Sequence, residues 1–189
     1  MDKNLIVRFL VNEAIKVQDN GKTNDRLWDV IRKAHRDVMT GARTGNISYY
    51  VDINKDGKNT TLEYLYRIIT DSTEPLCSAS LIVQLQKNDK NIEFSAIQKL
   101  VNMTLKYLII INDCEDNRVK FDICEEKCDC PIDSIILEKL KKVTSCDHIC
   151  WTKIHYDEYE KVQREITEYL QKKYPNETYG NIWFDFLMW

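Results

Sequence analysis

Apolar residues recur along most of this chain at three- and four-residue spacings, the period of a helix that buries one face. Ile6, Leu10, Ala14 and Val17 predict a first helix over 3–17, stopped at Asn20-Gly21. Leu27, Ile31, Ala34 and Val38 stripe a second helix, capped from Thr23 or Asn24 and ended at Gly41. Leu62, Leu65 and Ile69 predict a third. Phe94, Ile97, Val101, Leu105 and Leu108 predict the strongest helix, over 95–111. It turns apolar on all sides towards its end, the pattern of a helix buried at the centre of a fold. Ile132, Ile135, Ile136 and Leu140 follow Pro131, which suits the first position of a helix, with Asp133 in the first turn. Tyr156, Tyr159, Val162, Ile166 and Leu170 stripe the last long helix.

Three stretches depart from this period. Residues 47–51 read as extended and predict a small β-hairpin within 47–53. Over 75–85 the signals conflict: Pro75 favours a helix start, whereas Leu81, Val83 and Leu85 alternate as in a strand. A helix is the preferred reading. Residues 182–189 are mostly aromatic and aliphatic, and left free they would form an exposed apolar patch, so they are expected to dock on the core. The chain is therefore expected to be all-α (mainly α), one helical domain over 1–189 built as a bundle of about six to eight helices.

Composition narrows the function. With five glycines and three prolines, the chain has few tight turns and no glycine-rich loop to cradle a phosphate. The net charge of −3 comes from interspersed signs with no basic stripe, which disfavours nucleic acid as a partner. Asp2 and the interruption at Arg8 make the N-terminal stretch unlike a secretion signal. The apolar run 107–111 is too short to span a bilayer. A cytoplasmic protein with reduced thiols and no membrane partner is expected, and seven cysteines, an odd number, agree with that.

Two constellations carry candidate chemistry. Between Cys124 and Cys150 lie Cys128, Cys130, Cys146 and His148, soft ligands in two close groups separated by a short apolar-periodic segment. Four such ligands converging tetrahedrally would hold zinc. No Cys-x-x-Cys occurs, however, and free cysteines also serve as small buried hydrophobes. The second constellation is Asp52, Asn54, Asp56, Thr60 and Glu63, with Gly57 at the sharp turn, the oxygen-donor spacing of a calcium loop. Asn59 stands where such loops carry an aliphatic residue, and no helix leads into it, so a polar turn ahead of the third helix is the plainer account. No Gly-x-Ser-x-Gly and no His-Glu-x-x-His is present, and no catalytic residue is assigned.

Three short segments resemble a dispersed set of small uncharacterised bacterial and phage proteins. They are Gln98-Lys99 with Asn102 and Lys106-Tyr107-Leu108, then Cys130-Pro131-Ile132-Asp133 with Ile136-Leu137, then Trp151-Thr152. The resemblance covers about the second half of the chain, implies a helical fold, and supplies no activity or cofactor. Of the candidate zinc ligands only Cys130 belongs to it.

These readings together predict a non-enzymatic cytosolic protein that binds another macromolecule, most readily a protein, by analogy with phage and mobile-element inhibitors or adaptors of host or defence machinery. The alternative is a zinc-stabilised, nucleic-acid-associated factor or enzyme built on the 124–150 window. A calcium-responsive module over 52–63 is the third reading.

Overall fold

The run from Phe94 to Asn112 decides the architecture. It contains Ile97, Leu100, Val101, Leu105, Leu108, Ile109, Ile110 and Ile111, too many apolar side chains for one stripe, and every residue from Ser95 to Ile111 is buried. A helix that is apolar on all sides must be covered on all sides. The computed structural model of the protein describes residues 23–43, 60–88, 90, 92–113, 120–144 and 149–188. Among these there are seven α-helices: α1 (Thr23–Arg43), α2 (Thr60–Thr70), α3 (Ser78–Asn88), α4 (Phe94–Asn112), α5 (Ser134–Lys141), α6 (Tyr156–Lys173) and α7 (Ile182–Leu187). Two single 3₁₀ turns, Glu125–Lys127 and Trp151–Lys153, join the later helices. The expected first helix over 3–17 and the hairpin within 47–53 lie outside the described residues.

The all-α expectation holds, with α4 as the axis. It packs against α1 and α3, and α2 lies against both of those helices. α1 buries Leu27, Val30, Ile31, Ala34 and Val38, one face at helical spacing. A polar latch closes the same interface: the Lys33 ammonium donates to the Asp37 carboxylate at 2.7 Å and to the Tyr107 hydroxyl at 2.9 Å. Trp28 of α1 stacks on Tyr66 of α2 at 4.7 Å between ring centres. α4 is long and apolar enough to cross a membrane, but 94% of its most apolar window is buried under the other helices.

The ambiguous 75–85 stretch resolves as helix α3, which buries Leu81, Ile82 and Leu85. Pro75 does not start it. Leu76 instead forms a lone parallel bridge with Ile123, its amide donating to the Asp122 carbonyl at 2.8 Å and its carbonyl accepting from Cys124 at 3.0 Å. α1 runs on to Arg43, past the expected stop at Gly41. Pro131 does not open a helix either. α5 begins at Ser134, and Asp133 is its N-cap, the carboxylate accepting from the Ile136 amide at 3.0 Å. Ile132 is thereby buried in an extended segment, while Ile135 faces solvent.

The C-terminal apolar run docks on the core, as expected. In α7, Ile182, Trp183, Phe184, Asp185 and Phe186 are all buried. Its approach is fixed at Gly180, where a Cβ would stand 1.9 Å from the carbonyl oxygen of Glu125. Only glycine leaves room for that backbone crossing. Beyond it, the Ile182 amide donates to the Cys128 carbonyl at 3.0 Å, and the Trp183 indole donates to the Glu125 carboxylate at 3.1 Å.

Candidate functional site

Residues 128–133 pass through the interior without a strand or helix of their own. An extended backbone in a core leaves donors and acceptors that must find partners. Two glutamines supply them. Gln98 of α4 donates to the Ile132 carbonyl at 2.8 Å and accepts from the Ile132 amide at 3.1 Å. Gln163 of α6 does the same for Cys130, donating at 2.8 Å and accepting at 3.1 Å. Each side-chain amide takes the place of a neighbouring strand. Asn102 donates to the Tyr159 hydroxyl at 2.8 Å, and Tyr159 in turn donates to the Asp129 carboxylate at 2.9 Å. The carbonyl oxygen of Asn102 is buried without a hydrogen-bond partner.

Ion pairs flank one side of this segment. Lys106 of α4 pairs with Asp185 of α7, both nearly inaccessible to water, with the Lys106 ammonium over the Phe186 ring at 5.3 Å. Lys99 lies 3.4 Å from Asp133 and 4.6 Å from the centre of the Trp151 ring. Lys139 is close enough to both pairs to feel them; burial, more than its neighbours, pulls its ammonium below the usual lysine range.

The other side opens into a groove of about 320 Å³ between α3 and α6. Ala79, Ile82 and Val83 form one wall; Tyr156, Glu160 and Arg164 stand on the other; Asp129 and Tyr159 lie at the base. Asp129 is half-buried, and burial, opposed by the Tyr159 hydrogen bond and reinforced by the Glu160 carboxylate, pushes its carboxyl up to about 6. No lysine or arginine among the described residues forms an ion pair with it. The Tyr156 phenol is raised chiefly by its hydrogen bond with Glu160. Three large hydrophobic side chains are exposed among the described residues, and two of them, Val83 (44%) and Tyr156 (51%), border this groove.

The predicted site residues are scattered. Cys128 and Cys130 are buried, their thiols donating to the Cys124 carbonyl at 3.3 Å and the Pro131 carbonyl at 3.9 Å. Desolvation raises both thiols well above the ordinary range. The thiols of Cys77 and Cys124 act on Cys128 as well. Cys150 is exposed, 3.1 Å from the Thr152 hydroxyl, a contact that lowers its thiol. Cys146 and His148 lie outside the described residues. Among the described residues no three His, Cys, Asp or Glu side chains stand together as a metal site. Of the calcium candidates, Thr60 opens α2 and Glu63 lies in its first turn, while Asp52, Asn54 and Asp56 fall outside the described residues.

Sequence reasoning missed the groove. In the sequence Val83 reads as one of three residues of a strand alternation, and Tyr156 as part of the apolar stripe of the last long helix. Once 78–88 is read as a helix, Val83 falls off the Leu81–Ile82–Leu85 face, and that offset is the signal that marks it as exposed. The chain matches no protein-family model, no curated protein and no solved structure.

Proposed function

We propose that the protein acts by binding another protein, without chemistry of its own, and that the α3–α6 groove is where it does so. The observation that carries this is the pairing of exposed Val83 and Tyr156 across one concave, mainly apolar surface. Exposed apolar residues scattered singly need no explanation, whereas two bordering one groove mark a surface awaiting cover. The inhibitor or adaptor role suggested by analogy with phage and mobile-element proteins fits such a surface. A photo-crosslinking side chain at position 83 of the full chain tests it in extract of the cells that make the protein. A discrete protein adduct that disappears when Tyr156→Gln is added supports the reading. No adduct, or one indifferent to Tyr156→Gln, overturns it.

Zinc on the 124–150 window predicts stoichiometric metal by elemental analysis and a melt that falls in chelator. Calcium over 52–63 predicts a melt that rises with the ion.

A further inference from the structure

The groove is apolar on its α3 wall and polar opposite, where Glu160 and Arg164 face it, with Asp129 at the base. From α3 it receives no charged residue, only Ala79, Ile82 and Val83. Asp129 and Glu160 supply two carboxylates, the charge of Glu160 disfavours ionisation of Asp129, and Arg164 is the only basic residue of the lining. Asp129 has one side-chain hydrogen bond, from the Tyr159 phenol, and no ion-pair partner among the described residues. A half-buried carboxylate in that position costs stability unless a positive charge arrives to share it.

We infer that the groove takes a segment of a partner protein that presents a lysine or arginine to Asp129 and Glu160, with an aliphatic side chain one helical turn away packed on Ile82 and Val83. This rests on the reading of the groove as a protein-binding surface and adds the chemistry of the occupant. Charge complementarity is the argument: an added cation would pair with Asp129, which has no ion-pair partner among the described residues and has Glu160 as its charged neighbour, and the apolar wall beside it favours a neighbour of the aliphatic kind. The spacing suits a short amphipathic helix, since a groove of about 320 Å³ is too small for a folded domain to enter.

A random peptide library displayed on phage, panned against the full chain, tests the inference. Enriched peptides should carry Lys or Arg three or four positions from an aliphatic residue. Their affinity should fall about ten-fold or more in Asp129→Asn, the loss of a charge-assisted contact. It should also fall in Val83→Gln, an exposed site where the fold is not at stake. Both variants are first checked for unchanged helical circular dichroism. Peptides that need Val83 but carry no cation, or ignore Asp129→Asn, overturn the inference and leave the groove a binding surface. An empty selection, or peptides indifferent to both changes, overturns the inference and the underlying reading together.

Discussion

Asp129 and Asp133 stand at the two ends of one buried segment and meet opposite fates. Asp133 caps α5 through the Ile136 amide and lies 3.4 Å from the Lys99 ammonium. A helix N-terminus and a cation both complement its charge. Asp129 has a phenol for its partner and a second carboxylate, Glu160, for its neighbour. One end of the segment is electrostatically complete; the other is incomplete, and it is the end that faces the groove. Interiors that serve only the fold satisfy their charges, so an unsatisfied one beside an apolar concavity directs attention to binding.

The largest way to break the comparison is on the complete side. Lys106→Ala should leave Asp185 buried without its cation and cost about 3–5 kcal/mol in denaturant unfolding. Lys106→Met combined with Asp185→Leu should cost far less, because two well-packed apolar groups can replace a buried pair. Next comes Gln163→Leu, which strands the amide of Cys130 and leaves its carbonyl only the longer bond from Asn102 at 3.5 Å; a loss of about 2–3 kcal/mol by the same measurement is expected.

Asp129→Asn should act in the opposite direction. In the native state the Asp129 carboxyl is pushed from 3.8 to about 6. Between those values the folded chain holds a proton that the unfolded chain has released. Stability therefore falls as pH rises from about 4 to about 6, and it stays lower above that window. Asparagine keeps the acceptor for Tyr159 and removes the charge. The variant should be more stable than wild type at pH 7, by on the order of 2 kcal/mol, and it should lose the decline through that window. Equal stability of the two at pH 7 would mean that Asp129 is already satisfied. Val83→Gln, the smallest change, should alter stability by less than about 0.5 kcal/mol while weakening any partner bound in the groove. A larger loss would place Val83 in the core.

Much of this was legible in the sequence. The stripes of α1, α2, α4 and α6 come from burial at helical period, and the docking of 182–188 follows from the cost of exposing Trp183, Phe184 and Phe186 to water. Start signals were less dependable. Pro75 and Pro131 both fit a first helical position, yet both precede extended segments whose backbone is tied elsewhere: Leu76 to Asp122 and Cys124, and Ile132 to Gln98. Local propensity says only that proline tolerates such a position, and the tertiary partner decides whether it is used. The candidate site was the least legible part. A glutamine that substitutes for a strand, or a carboxylate left without a cation, is defined by what lies across the fold from it, and Gln163 and Asp129 carry no local pattern that announces either role.

The Lys106–Asp185 pair also bears on the order in which the protein is made. The two residues are 79 positions apart. On the ribosome the central helix emerges well before the short helix that brings its counter-ion. Until Asp185 has left the exit tunnel, any collapse around α4 must either bury an ammonium alone or hold that end of α4 open to water. A nascent chain arrested before α7 should therefore remain open to protease around Lys106, and synthesis of the last helix acts as the signal that lets the interior close.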